Sequence, residues 1–218
     1  LYLLHGAYGD AFSWVRYSNI DRYAQDRGIV VVMASAENSF YQDLRSGKKY
    51  KTFFTEELPL FIRNVFPVSR EREKTFIAGF SMGGYGAWYL ALSRPELYAK
   101  AASMSGALDI AGLYQAAAAG NNDNNPFHWE DCFGDPDKLA GSDYDLFTLY
   151  DRDVKNGCVP KLYQAVGRDD FLYPSNVYVR KLLEQKQADL TYEEDKGGHD
   201  WNFWDQYIQH ILDWMLHD

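Results

Sequence analysis

Cysteine is scarce in this chain. Cys132 and Cys158 are its two thiols, too few for a disulfide framework and without metal-ligand spacing, so both are read as reduced. Long apolar runs are missing too: no stretch nears the roughly 20 residues that a membrane-spanning helix needs. Basic clusters are absent. Lys and Arg total 22 against 31 Asp and Glu, a net charge of −9, which would repel a phosphate backbone. Neither nucleic acid nor a membrane is therefore an expected partner. No internal repeat is evident. There is no initiating methionine. Leu1-Tyr2-Leu3-Leu4 already reads as a central strand, and a domain rarely opens on its innermost element. One or two N-terminal strands are thus expected to be missing from the sequence. No signal peptide is visible; the expected location is cytoplasmic, with secretion left open by the unusual start.

What remains is a chain of 218 residues, 46 % of them hydrophobic. That suffices for one domain with a full core and lies well above the composition of disordered chains. Aromatic residues make up 17 %; some are expected to line a cleft and most to pack. Apolar runs alternate with helical patterns, which argues for a mostly parallel sheet with helices on both faces. Strands are expected at residues 1–4, 29–33, 74–78, 99–104, 162–166 and 190–194. Helices are expected at 17–27, closed by Gly28, at 52–66, at 84–92 ahead of Pro95, at 174–187 and at 201–216. Residues 109–156 break the alternation. They hold an alanine run at 116–119, an asparagine-rich turn at 121–125 and the aromatics Phe127, Trp129 and Phe133. We read this stretch as a partly helical cap within a single domain spanning 1–218, the alternative being a surface insertion without function.

Between the third strand and the helix after it stands Gly79-Phe80-Ser81-Met82-Gly83. A Gly-x-Ser-x-Gly pentamer on a strand-to-helix turn is a nucleophile elbow. The turn holds the serine in a strained backbone conformation, and its neighbours two before and two after must be small to avoid the adjoining strand and helix. The hydroxyl is thereby presented in the open at the first turn of a helix.

A serine hydroxyl is a poor nucleophile at neutral pH and needs a base to take its proton. In folds with this elbow the chain order is Ser, then acid, then His. His199, His210 and His217 follow any plausible acid. His210 and His217 fall within or at the end of the last helix and read as surface residues. His199 lies in Gly197-Gly198-His199-Asp200-Trp201, a glycine-loosened loop between the last strand and the last helix, and is the candidate base. The acid is expected after the strand at 162–166, where Asp169 and Asp170 compete. For the oxyanion of a tetrahedral intermediate, one donor should be the N–H of Met82 at the helix N-terminus. The second should come from the loop His5-Gly6-Ala7-Tyr8-Gly9, with the N–H of Ala7 preferred. His5 is read as a structural residue that shapes this loop. Phe40, Tyr41, Phe127, Trp129, Phe133 and Trp201 are the candidate substrate-binding residues, with Tyr50 also available near the cleft. The aromatics of the cap could equally be packing beneath it.

These stretches together resemble the Putative esterase family of α/β-hydrolases, which includes esterase D and the S-formylglutathione hydrolases, with the nearest likeness to bacterial tributyrin esterases. The resemblance rests on Leu3-Leu4-His5-Gly6-Ala7-Tyr8-Gly9, Ser39-Phe40-Tyr41, the run from Thr75 through the elbow to Gly86, Ser105-Gly106-Ala107-Leu108, Asp170-Phe171-Leu172-Tyr173 and Gly198-His199-Asp200-Trp201. It implies an α/β-hydrolase fold and a serine carboxylesterase acting on short acyl esters, with an acyl-enzyme on Ser81. It also favours Asp170, three residues after Gly167, as the acid. No cofactor or metal is implied, and the partner is a small-molecule or carbohydrate ester, with a homo-oligomer open. The first loop lacks the cysteine shared by S-formylglutathione hydrolases, which lowers a glutathione thioester as substrate. Acyl transfer to a sugar or other alcohol, and hydrolysis of feruloylated or acetylated polysaccharides, are the alternatives within enzymes. A non-catalytic binding module on the same scaffold is the alternative outside them.

Overall fold

The computed structural model describes residues 1–120 and 127–217, so the asparagine-rich turn expected at 121–125 lies outside the described residues. Among the described residues the sheet has five strands: β1 (Tyr2–Leu4), β2 (Phe76–Phe80), β3 (Lys100–Met104), β4 (Lys161–Gly167) and β5 (Leu190–Asp195). They lie in that order, every neighbouring pair parallel. The helices in chain order are α1 (Ser13–Tyr17), α2 (Ile20–Asp26), α3 (Tyr50–Thr52), α4 (Leu58–Val65), α5 (Met82–Ser93), α6 (Ile110–Ala119), α7 (Trp129–Phe133), α8 (Leu146–Asn156), α9 (Tyr173–Gln185) and α10 (Trp201–Leu216).

Side chains alternate between the faces of a strand, and the alternation divides the core in two. Tyr2, Leu4, Ile77, Ala101 and Leu162 enter one core, with residues of α4, α5, α6, α8 and α9. Leu1, Leu3, Phe76, Ala78, Phe80 and Tyr163 enter the other, with Trp14, Ile20 and the apolar face of α10. Both faces of the parallel sheet are therefore covered, as its continuous apolar strands require. Helix α5 is buried from Met82 to Leu92, so it is apolar all round rather than amphipathic. It also sits close to the sheet. A Cβ on Gly84 would meet Ser103 Oγ at 2.5 Å and Gly106 Cα at 2.9 Å.

The register sets Leu4 opposite Gly79, Phe80 opposite Met104 and Met104 opposite Ala165. The carboxyl ends of four strands thus align along one edge, where open α/β sheets place their sites.

Three expected elements differ. Residues 29–33 do not form a strand: their pairing is a single parallel bridge, Tyr2 to Val32, with Leu3 N–H on Val32 O at 2.9 Å and Val32 N–H on Leu1 O at 2.8 Å. The run lies at the sheet edge with Val30 half exposed, so its β-branched composition does not carry it into a full ladder. The helix expected at 17–27 is the shorter α2, Ile20–Asp26, and a separate helix, α1, precedes it at Ser13–Tyr17. Ser18 Oγ donates to Trp14 O at 2.6 Å and accepts from Ile20 N–H at 3.3 Å, ending one helix and starting the next. The helix at 52–66 begins earlier and passes through a π-helical turn, Phe53–Glu57, just ahead of Pro59. The wider turn accommodates a proline that has no N–H to give.

Candidate active site

Ser81 ends β2 and caps α5, with φ 56° and ψ −121°. This is a left-handed conformation that a side-chain-bearing residue adopts only under constraint. The constraint is visible. Ser81 N–H donates to Met104 O at 2.9 Å, and Ser81 O accepts from Gly84, Tyr85 and Ala107 N–H groups at 3.0 to 3.2 Å. The flanking glycines are steric necessities. A Cβ on Gly83 would meet the carbonyl oxygens of His5 at 2.5 Å and Leu4 at 2.8 Å, and one on Gly79 would collide with the backbone of Gly83. Serine is a favoured helix cap, yet the Ser81 side chain makes no cap bond to α5. The strained turn directs its hydroxyl elsewhere, 2.9 Å from His199 Nε2.

His199 is fixed from behind by the start of α10. The next residue, Asp200, caps that helix by accepting from Asn202 N–H at 2.9 Å and Phe203 N–H at 3.2 Å. The imidazole Nδ1 lies 2.9 Å from Asp170 Oδ2 and 3.1 Å from Oδ1. Its side chain is 18 % exposed, while that of Asp170 is fully buried. The two loops carrying this pair are stitched together. Asp169 N–H donates to Gly197 O at 2.9 Å and Arg168 N–H to Asp195 O at 2.8 Å, and a Cβ on Gly167 would strike the Gly197 backbone. Asp169, the competing carboxylate, is exposed.

Burial pushes the Asp170 carboxyl up, but hydrogen bonds from His199, Leu172 N–H and Ser105 outweigh it and hold the group below its ordinary value of 3.8. It stands ionised beside the imidazole.

Met82 N–H opens α5, where the first amides of a helix have no partner within it. The loop from His5 to Gly9 lies directly over that turn, as the Gly83 contacts require, which brings the amide of Ala7 to the same end of the sheet. His5 is buried. Its Nε2 accepts from Ala36 N–H at 2.9 Å, so the proton sits on Nδ1 and is given to Gly6 O at 2.7 Å. Burial lowers its pKa, and a neutral ring ties the loop to the segment at residue 36.

The candidate substrate residues fall into three settings. Tyr41 is fully buried, its hydroxyl donating to His5 O at 2.9 Å, so it braces the loop from beneath. Phe40 and Phe133 are buried in an aromatic cluster with Phe127, Trp129 and Tyr114, Phe40 stacking on Trp129 at 4.8 Å. The cluster reaches the first loop through Tyr8, whose ring is 5.8 Å from Phe127. Trp201 is half-buried under the elbow, 4.7 Å from Phe80 and 5.2 Å from Trp14.

Other residues at the site carried no role in the sequence reading. Phe171 is 73 % exposed with its ring 4.6 Å from the imidazole of His199. Trp204 meets the same imidazole edge-on at 5.0 Å. Ser105, just past the end of β3, accepts at Oγ from Trp204 Nε1 at 3.1 Å. A sequence signal existed for Trp204 alone, since an indole N–H on the buried face of a helix must find an acceptor. Among the described residues, no group of three His, Cys, Asp or Glu side chains is placed to hold a metal ion, and no helix is long and apolar enough to cross a membrane.

The model of the family described as Putative esterase matches residues 1–215. An acetyl esterase of Caldicellulosiruptor saccharolyticus is 40 % identical over 223 residues, covering 99 % of this chain and 82 % of its own length. Among solved structures, the fluorophosphonate-binding serine hydrolase F of Staphylococcus aureus superposes with a TM-score of 0.90 at 32 % identity, over 100 % of this chain and 83 % of that one. The S-formylglutathione hydrolase FrmB of Staphylococcus aureus gives a TM-score of 0.87 at 31 % identity, over 99 % of this chain and 83 % of that one.

Proposed function

This chain belongs to the Putative esterase family, and we propose that it cleaves short acyl esters through an acyl-enzyme on Ser81, with His199 as base and Asp170 as the acid that orients it. The observation carrying this reading is the line of hydrogen-bond distances from Ser81 Oγ to His199 Nε2 and from Nδ1 to Asp170. Ser81 attacks the ester carbonyl as Nε2 accepts its proton. Asp170 accepts from Nδ1–H, fixes the tautomer and stabilises the imidazolium. The developing oxyanion is met by the N–H groups of Met82 and Ala7, the former helped by the α5 dipole. His199 then gives the proton to the leaving alcohol, and a water activated by the same imidazole releases the acid.

We read residues 109–156 as the cap that bounds the acyl site, in a single domain of 1–218. The aromatic cluster of Phe40, Phe127, Trp129 and Phe133 supports a small enclosed site, because those rings fill one another's space. The similarity to an acetyl esterase supports a short acyl group. The similarity to an S-formylglutathione hydrolase keeps a small thioester as the second substrate to assay.

The test is Ser81→Ala. Turnover of p-nitrophenyl acetate should fall at least about a thousandfold with the circular dichroism spectrum unchanged. Near-normal turnover would overturn the assignment. A series from acetate through butyrate to octanoate, with S-formylglutathione, methyl ferulate and an acetylated xylan alongside, fixes the acyl and leaving-group preference. Adding a sugar acceptor and measuring product partition separates hydrolysis from acyl transfer.

A further inference from the structure

The ring of Phe171 stands in solvent beside the reacting groups, and nothing in the local fold requires an aromatic residue there. The turn around Asp170 sets its position. Asp170 Oδ1 accepts from Leu172 N–H at 2.8 Å, and Asp170 O accepts from Tyr173 N–H at 2.9 Å. In that turn Asp170 and Leu172 are buried, while Phe171 between them is 73 % exposed. It belongs to neither core, so its ring adds little to the stability that buried apolar area supplies. Among the described residues, two rings meet the imidazole of His199: Trp204 edge-on at 5.0 Å, and Phe171 at 4.6 Å with a tilt of 50°. Trp204 is buried, out of reach of a substrate. Phe171 keeps an open aromatic surface next to the same imidazole.

We propose that Phe171 is a specificity-determining residue that walls the subsite of the leaving alcohol and favours alcohols that carry an aromatic ring. This rests on the reading of Ser81, His199 and Asp170 given above. The proton decides where the alcohol sits. The imidazole that takes the proton of Ser81 must hand it from the same Nε2 to the leaving oxygen. That oxygen therefore comes within hydrogen-bond reach of His199. The part of the substrate beside the imidazole is thus the alcohol, while the acyl group stays on Ser81. Nε2 faces Ser81, Nδ1 faces Asp170, and Trp204 is buried. Phe171 is then the ring that an alcohol departing past the imidazole meets. A second ring laid against it removes apolar area from water and gains ring-on-ring contact. A methyl group offers it little area.

The experiment compares Phe171→Ala and Phe171→Tyr with the parent and with Ser81→Ala, on benzyl acetate and methyl acetate. The two esters share an acyl group and release alcohols of similar basicity, so they differ in the surface that the alcohol presents. Active sites of the Phe171 variants are counted with a fluorophosphonate probe, so that loss of folded enzyme is divided out. The ratio kcat/KM reports the steps up to departure of the alcohol. Breakdown of the acetyl-enzyme formed from p-nitrophenyl acetate reports the step after it. Phe171→Ala should lower the benzyl-to-methyl ratio of kcat/KM about three- to tenfold, the range of one ring-on-ring contact. Acetyl-enzyme breakdown should stay within about twofold, because the alcohol has already gone. Phe171→Tyr keeps the ring and should hold the parent ratio within about twofold. Equal losses on both esters with slower acetyl-enzyme breakdown would make Phe171 a prop for the imidazole and overturn the proposal. An unchanged ratio in Phe171→Ala, with Ser81→Ala inactive, would overturn it while leaving the reading of the site intact. An active Ser81→Ala would overturn both.

Discussion

His199 presents both carboxylate oxygens of Asp170 with one nitrogen, at 2.9 Å and 3.1 Å, while its other nitrogen faces Ser81 at 2.9 Å. The ring can serve as a base only if its proton sits on Nδ1, and the carboxylate imposes that tautomer. Asp170→Asn should therefore fold normally and lose about 10⁴-fold in kcat, because an amide can present its NH₂ to Nδ1 and move the ring proton to Nε2. Asp169→Asn is the control. That carboxylate is exposed, and steady-state kinetics should show at most a few-fold change. Equal losses in the two variants would count against Asp170 as the acid. The carboxyl of Asp170 is held below 3.8, so it stays ionised at neutral pH.

The strain at Ser81 should be measurable as stability. A residue other than glycine held at φ 56° carries about 1–3 kcal/mol of conformational energy. Ser81→Gly should be inactive and yet unfold at a higher urea concentration than Ser81→Ala, by about 1 kcal/mol or more in free energy. Coincident midpoints would mean that the turn stores no strain.

Much of this arrangement was legible in the sequence because its determinants are local. The elbow announces itself through the glycines two residues before and after Ser81, where a side chain would meet the backbone of Gly83 or of Leu4 and His5, and β4 through a run whose every residue after Lys161 is buried. Helix α10 matched its expected bounds because its apolar spacing and its Asp200 cap are both written in the chain. Edge pairing was not legible. Residues 29–33 have strand composition, and whether they form a ladder depends on what lies beside β1. Nor was the pairing of Ser105 with Trp204, which donates to its Oγ from 99 positions away, since no spacing rule connects residues on separate elements. The buried state of Phe40 and Phe133 was hidden for the same reason: an aromatic side chain reads alike whether it lines a cleft or fills a core.

Gly83 joins the nucleophile's helix to the first loop. Its missing side chain is what lets the carbonyls of Leu4 and His5 approach, and backbone cannot yield as a side chain can. Gly83→Ala should push the first loop away from α5 and separate the Ala7 amide from that of Met82. Thermal unfolding should show a loss of about 1–3 kcal/mol. Activity should fall by about a hundredfold or more, the usual effect of losing one oxyanion donor. A variant that is less stable but fully active per labelled site would place the second donor elsewhere.

His5 should make the protein sensitive to mild acid without taking part in the reaction. Its ring is buried and neutral, donating from Nδ1 to Gly6 O and accepting at Nε2 from Ala36 N–H, and burial lowers its pKa in the folded state. In the unfolded chain it titrates near ~6.5. Below that pH the unfolded state binds a proton that the folded state refuses, so stability is full above about 6.5 and declines as the pH falls toward the depressed folded value. The slope from this one group cannot exceed about 1.4 kcal/mol per pH unit. Urea midpoints at pH 7.5 and 5.5 measure it. His5→Gln keeps an acceptor and a donor but cannot titrate, and its stability should fall less than that of the parent between the two pH values. Equal falls would show that other groups carry the acid sensitivity and that His5 is not held neutral by its burial.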